Sequence, residues 1–460
     1  MKYYLLLSAV ALLSTFIIIG HQVSKSVNSS SGYFLADREL GTMAISFSLL
    51  ATQIGAGVIL GTSNSSYRFG LYGIFYPLGL SLGLIAISLF GAKQLRQKNI
   101  STVPELFELE YKSRFLRKIT SLISILSLYG ILVSLIIGTK QLFSVFSLDH
   151  PLILYTFWLT LILYTVLGGL KAVIYTDVVQ IIFIFLVFFV VFLYYAFYQV
   201  EYIQFSLKNL CATVEESEMS SLVPLVITPF LYVYIEQDVA QRFFSAKSPE
   251  VARKSAVIAG ILLMFFSFIP VLFGVAARTI EIIPQGSNEM IYFITSTSNN
   301  FITSSVLLAV LCAVISTADS LLCAITSHIS LDFVCKKKAP INLRYIRAAT
   351  MTIGMIAVTT AGLLNSIIDT MIISYQIMVS TLFFPTILAH FDLKKSPSLA
   401  YISIILGSIG FFLYSNIDIN HSHIPKELFC ISLSSLSLPI DYLYKRYISY
   451  KSTVVFLTKK

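Results

Sequence analysis

Charge is what this sequence has least of. Only 12% of its 460 residues are charged against 56% hydrophobic, and so little polar surface excludes a water-soluble globule. Cysteine is sparse and scattered: Cys211, Cys312, Cys323, Cys335 and Cys430 form no CxxC spacing, so neither a disulfide framework nor a zinc site is expected. The six histidines, at positions 21, 150, 328, 390, 421 and 423, include no i, i+4 pair on one helix, and no transition-metal centre is expected from them. No nucleophile and base pair stands out, so an enzyme is not expected, and no organic cofactor either.

What the sequence does have is length without charge. A bilayer core about 30 Å thick needs about 20 apolar residues per helical crossing. Charge-free runs of that order cover 3–20, 42–67, 69–92, 119–139, 151–170, 178–200, 219–235, 255–277, 290–318, 348–368, 370–391 and 396–417, and a weaker one covers 425–444. They are continuously apolar and about twice as long as the alternating strands of a membrane barrel, so they predict helices. The lipid bilayer is the main surrounding of the chain. The first run is read as a retained helix rather than a signal peptide, because His21, Gln22 and Val23 after it offer no small-residue cleavage site.

Cytoplasmic loops carry the excess of Lys and Arg. With the N-terminus outside, most of the 32 basic residues fall on the cytoplasmic side: Lys25 and Arg38, the group from Lys93 to Lys118, Lys171, the group Arg242, Lys247, Arg253 and Lys254, the group from Lys336 to Arg347, Lys394 and Lys395, and Lys445 onward. The outer loops carry Glu201, Glu215, Glu216, Glu218, Glu281, Glu289 and Asp418. Thirteen crossings, N-terminus out and C-terminus in at a cell inner membrane, satisfy these charges. The pI near 9.1 therefore reports topology, and no nucleic-acid partner is expected.

Function is sought where the apolar pattern breaks, since polar groups inside a membrane are costly and persist along solute or ion paths. The second run carries ATQIGAG at 51–57, and the seventh carries Pro224 and Pro229 ahead of a charged end. These breaks lie five segments apart, as in transporters built from inverted repeats, where interrupted helices meet near the midplane. The ninth run carries AVISTADS at 313–320, with adjacent hydroxyls at mid-helix and Asp319 one turn on. Neutral hydroxyl and carbonyl oxygens suit sodium, whereas a cage of carboxylates favours divalent ions. The same pair taken alone could simply back-bond to its own helix.

Four stretches together resemble the signatures of the sodium:solute symporter family: GYFLADREL at 32–40, GGLKAVIYTDVVQ at 168–180, QDVAQRFFSAK at 237–247 and AVISTADSLL at 313–322. The likeness runs from about residue 30 to about residue 390, in order. It implies an all-α fold of the leucine-transporter type: an extra first helix in 1–41, a five-plus-five inverted-repeat core in 42–391, and two further helices with a basic cytoplasmic tail in 392–460. It implies a sodium site made by carbonyls of Ala51, Ile54 and Ala313 and hydroxyls of Ser316 and Thr317. Asp177 and Asp319 would stand behind the ion or on its release path.

For the solute, the first helix break points to Gln53 and the exposed backbone around Gly57 as contacts, and the resemblance points to Glu236 and Gln237. Sugar carriers of the family place a polar pair where Gly57 and Val58 stand, and a lysine in the segment that here is 255–277 and has none. Exposed backbone N–H groups and positive helix ends at the two breaks favour an anionic group, so the preferred cargo bears a carboxylate: an amino acid, a vitamin acid or a short organic acid. An ionised Glu236 would argue instead for a zwitterion or a neutral polyol. A sugar, polyol or nucleoside carrier remains the alternative, as does a sensor derived from the transporter fold. Oligomeric state is not legible.

Overall fold

The computed structural model describes residues 2–145, 148, 150–211, 216–284, 287–334, 341–363, 367–391, 396–416 and 425–446. The basic group Lys336, Lys337 and Lys338, Lys394 and Lys395, the acidic Glu215 and Asp418, and the basic tail from Lys451 lie outside the described residues, as do Cys335, His421 and His423.

All regular elements described are helical: α1 (Lys2–Ser24), α2 (Thr42–Gln53), α3 (Phe75–Phe90), α4 (Arg114–Val145), α5 (Pro151–Tyr198), α6 (Glu216–Tyr232), α7 (Gln237–Ser245), α8 (Pro249–Ala276), α9 (Asn300–Ser327), α10 (Leu343–Leu363), α11 (Ile367–His390), α12 (Pro397–Asn416) and α13 (Lys426–Ser435), with short helices between them. Among the described residues, nine helical stretches are long and apolar enough to cross a membrane. One of these is α5, which at 48 residues would run roughly 72 Å if straight. It does not run straight, because Gly169 sits at φ 56°, ψ −152° and turns the chain, so α5 makes two crossings. Counting α5 twice, dividing the stretch 57–90 between the second half of the first interrupted helix and α3, and adding α1 and the α13 segment with its continuation at 437–446, gives thirteen candidate crossings, the number that the charge-free runs predict.

Gly169 is needed for two reasons. Its φ lies in the left-handed region, and a Cβ there would come 2.6 Å from the Tyr33 carbonyl oxygen. A Gly169→Ala protein is therefore expected to be destabilised by more than about 1 kcal/mol, read as a lower melting temperature in detergent.

The bundle is arranged around α9. Of its apolar stretch 94% is buried, against 33% for α12, so α9 is central and α12 peripheral, facing lipid. Helices α2 and α5 pack on α9, and α6 and α8 pack on α3. At one end of the bundle the start of α2 and the end of α7 are stitched together. The Leu40 N–H donates to the Ser245 carbonyl (3.3 Å), the Lys247 N–H to the Leu40 carbonyl (3.0 Å), and the Arg96 guanidinium to the Ala246 carbonyl (2.5 Å). Both interrupted helices are thereby fixed at the same end, which sets their breaks side by side deeper in the bundle.

Candidate ion and solute site

The first break follows from where α2 stops. The Ile54 N–H still donates to the Leu50 carbonyl (2.8 Å), but Ile54 leaves helical geometry at φ −80°, ψ 66°. The helix resumes through a wide turn at Gly57–Gly61, a form that recurs at functional sites. Gly55 between them lies against α9: a Cβ there would sit 2.8 Å from the Thr317 hydroxyl oxygen. The absent side chain is what lets α9 approach the break.

Across that contact the Ser316 hydroxyl reaches the carbonyls of Ala51 (2.8 Å) and Ala313 (3.1 Å). The Thr317 hydroxyl reaches those of Thr52 (3.1 Å) and Ala313 (3.1 Å). Ser316 is fully buried, as are Ala51 and Ala313. These oxygens carry many lone pairs and only two hydroxyl hydrogens, so the cluster has acceptors in excess and its chemistry suits a cation. Of the five expected ligands, Ala51, Ala313, Ser316 and Thr317 are thus brought together, and the Thr52 carbonyl joins them. Ile54 lies buried at the break beside Gly55.

Behind this cluster stands a residue that sequence reasoning placed elsewhere. Arg242 was expected to be a cytoplasmic loop charge; it is instead completely buried on α7. Its guanidinium pairs with Asp177 (2.9 Å) and donates to the hydroxyls of Ser48 (2.7 Å) and Ser320 (2.6 Å) and to the Asp238 carbonyl (2.8 Å). Ser48 in turn donates to Asp177 (2.5 Å), and Ser320 donates to the Ser316 carbonyl (2.7 Å). A continuous polar chain therefore runs from Ser316 through Ser320 and Arg242 to Asp177. Asp319 accepts a hydrogen bond from Tyr164. The only sequence signal for Arg242 was its place in the 237–247 stretch, because burial cannot be read from a charge near the end of an apolar run.

The second break follows Pro224 and Pro229 inside α6, which remove backbone donors. The chain leaves the helix after Tyr232, and Glu236 is extended (φ −70°, ψ 121°) before α7 begins. Here the two breaks meet: the Gln53 amide donates to the Glu236 carboxylate at 3.0 Å. Gly57 borders the same region, since a Cβ on it would lie 3.2 Å from the Tyr76 hydroxyl. Gln237 does not join them. Its amide accepts from the Val103 N–H (2.8 Å) and reaches the Ser101 carbonyl and the Ser327 hydroxyl (both 3.3 Å), so it braces the short helix Val103–Tyr111. Tyr76, Tyr232 and Tyr375, which the sequence did not single out, gather around Glu236. Tyr232 and Tyr375 cross edge to face at 4.4 Å, and Tyr76 shares a hydrogen bond with Tyr375.

A Ser–His–Asp line does occur, although none was expected. Ser124 lies 2.9 Å from Nε2 of His328, and Nδ1 lies 2.9 Å from Asp332. All three are buried, and Asp332 also accepts from Arg117 (2.7 Å) and Thr102 (2.7 Å). The acid is occupied in tying α4, the 103–111 helix and the end of α9 together, so the line braces one end of the bundle. Among the described residues no group of three His, Cys, Asp or Glu is placed to hold a metal.

Two interrupted helices meeting beside a hydroxyl-bearing central helix is the geometry that the four sequence stretches imply, and residues 33–394 match the sodium:solute symporter family. The chain belongs to this family of transporters. Its fold is that of a solved Na+-coupled sialic acid symporter in a substrate-bound outward-open state, with a TM-score of 0.79 at 18% identity and 95% of both chains covered. The leucine-transporter-type arrangement expected from the sequence is thus the one found. A sodium/glucose cotransporter of Vibrio parahaemolyticus is 26% identical over 290 residues, 56% of this chain and 51% of the relative. A high-affinity choline transporter of Caenorhabditis elegans is 32% identical over 172 residues, 34% and 28% of the two chains. The matched regions span about half or less of these two relatives.

Proposed function

We propose that this symporter-family chain couples inward sodium movement to the uptake of a small organic solute by alternating access. The observation that carries the reading is the convergence of the Ser316 and Thr317 hydroxyls on the carbonyls of Ala51, Thr52 and Ala313 at the break of α2. Neutral oxygens in that number replace part of sodium's hydration shell and still release it. Ile54, at the edge of the break, completes the ion ligands. Asp177, reached through Ser320 and Arg242, and Asp319 form the release side.

The solute sits where the breaks meet, at Gln53, Glu236 and the backbone near Gly57. Helix ends that expose N–H groups favour a carboxylate, so an amino acid, a vitamin acid or a short organic acid is the preferred cargo. Relatives named for glucose and for choline mean that family membership does not select the solute. The charge distribution supports a cell inner membrane with the N-terminus outside and the C-terminus in the cytoplasm, and removing Arg242 from the loop charges leaves that bias intact.

Uptake of radiolabelled solutes with and without an imposed sodium gradient tests the reading, and uptake indifferent to sodium would sink it. Moving one positive charge inward is favoured by about 2.3 kcal/mol per 100 mV. Uptake of a neutral or zwitterionic solute with sodium is therefore expected to carry inward current in proteoliposomes and to accelerate at inside-negative potential. Accumulation that survives a protonophore given together with a sodium ionophore would point to another energy source.

A further inference from the structure

We infer that the transported solute carries a positively charged amine, protonated or quaternary, and that Glu236 is its counter-charge. The inference rests on the symporter reading and narrows its cargo to the amine-bearing acids and other amines, setting aside the amine-free vitamin and organic acids. Its starting point is a charge imbalance in the core. Asp177, Glu236, Asp238 and Asp319 are all buried, and among the described residues Arg242 is the only buried Lys or Arg. These groups feel one another's charge. Four carboxylates and one guanidinium cannot stay ionised together away from water without further positive charge.

The partners of each group show where that charge is missing. Asp177 has Arg242, and Asp319 has the Tyr164 hydroxyl. Asp238 lies at the start of α7 against its own and the Val239 backbone N–H groups, with Arg242 as its nearest positive charge. Glu236 has only the neutral Gln53 amide and the acid of Asp238 beside it. The ion cluster at Ala51, Ser316 and Thr317 connects through Ser320 to Arg242 and Asp177, so the ion's charge serves that side of the core. Glu236 is also the one carboxylate of the four that keeps some exposure, 7% against 0% for the others.

The surroundings of Glu236 fit an amine. Tyr76, Tyr232 and Tyr375 all lie within its electrostatic reach. Aromatic faces attract an organic cation, most strongly where water is excluded. The Gln53 amide fixes the carboxylate while adding no charge. An amine-bearing solute thus meets a carboxylate set among three tyrosines, and its own carboxylate, where it has one, meets the helix ends. A solute with a carboxylate and no amine brings one more acid to Glu236 and Asp238 and supplies no positive charge to either.

The test is thermal stabilisation of the purified full chain in sodium, against glycine betaine, proline and other amino acids, against pyruvate and lactate, and against polyols. Stabilisation confined to compounds with a cationic nitrogen is expected. In Glu236→Gln, checked for a single cooperative unfolding transition, the concentration needed should rise at least about tenfold. Glu236→Asp, which keeps the charge at shorter reach, should lie between. A shift given by pyruvate, lactate or a polyol, or an amine affinity unchanged in Glu236→Gln, would overturn the inference while leaving the sodium site standing. Sodium-independent uptake of an amine that still needs Glu236 would reject the symporter reading and keep this one.

Discussion

In the Ser316→Ala, Thr317→Ala double variant, the sodium concentration for half-maximal uptake is expected to rise about a hundredfold. In the proposed site each hydroxyl is an ion ligand that alanine cannot replace, and a polar contact to a charged group contributes about 1.5–3 kcal/mol, so each single change should cost about tenfold or more. The two residues share the Ala313 carbonyl, and neighbours with a common partner need not add. The singles measured beside the double give the coupling. Ser305 on the same helix is the control, because its hydroxyl returns to the Phe301 carbonyl on an exposed face (2.9 Å), and Ser305→Ala should leave sodium dependence untouched. Membrane insertion, followed by the amount of protein in the membrane fraction, should be the same for all. Unchanged sodium dependence in the double variant rejects the site.

Much of this site was legible because it depends on local chemistry. A helix break needs glycine or proline, and Gly55, Gly57, Pro224 and Pro229 announce both breaks. Adjacent hydroxyls in the middle of a long apolar run announce the partner surface on α9. Which backbone atoms meet those hydroxyls is a matter of register between helices, and there the Thr52 carbonyl appears beside Ala51 without any sequence sign. Tyr76 and Tyr375 come from α3 and α11, some 300 positions apart, and nothing in the pattern of either helix marks a tyrosine that faces Glu236. Gln237 shows the converse. Its place beside Glu236 suggested a shared role, but the extended backbone at Glu236 ends the break and α7 begins at once, so the next side chain points to another part of the bundle. The runs 151–170 and 178–200 were separated by Lys171 and Asp177, whereas the chain turns at Gly169 and Asp177 is carried into the core by its pairing with Arg242.

Arg242 is where the largest loss of stability is expected. Arg242→Leu leaves Asp177 buried without a cation and takes a donor from both Ser48 and Ser320. Removing one partner of a buried ion pair costs about 3–5 kcal/mol, chiefly through the charge left behind. At about 2–4 °C per kcal/mol for a sizeable domain, the melting temperature in detergent should fall by on the order of ten degrees. Removing the orphaned charge as well should recover part of it, so Asp177→Asn with Arg242→Leu should melt above Arg242→Leu alone. Arg242→Lys keeps the charge but not the fork that reaches Asp177, Ser48 and Ser320 together, because a lysine ammonium is a point charge on a flexible stem; it should lie between wild type and Arg242→Leu. Because Ser320 links Arg242 to the Ser316 carbonyl (2.7 Å), the recovered double variant should still bind sodium more weakly than wild type. A double variant that regains stability and binds sodium as wild type does would show that Arg242 holds the bundle together without positioning the ion site.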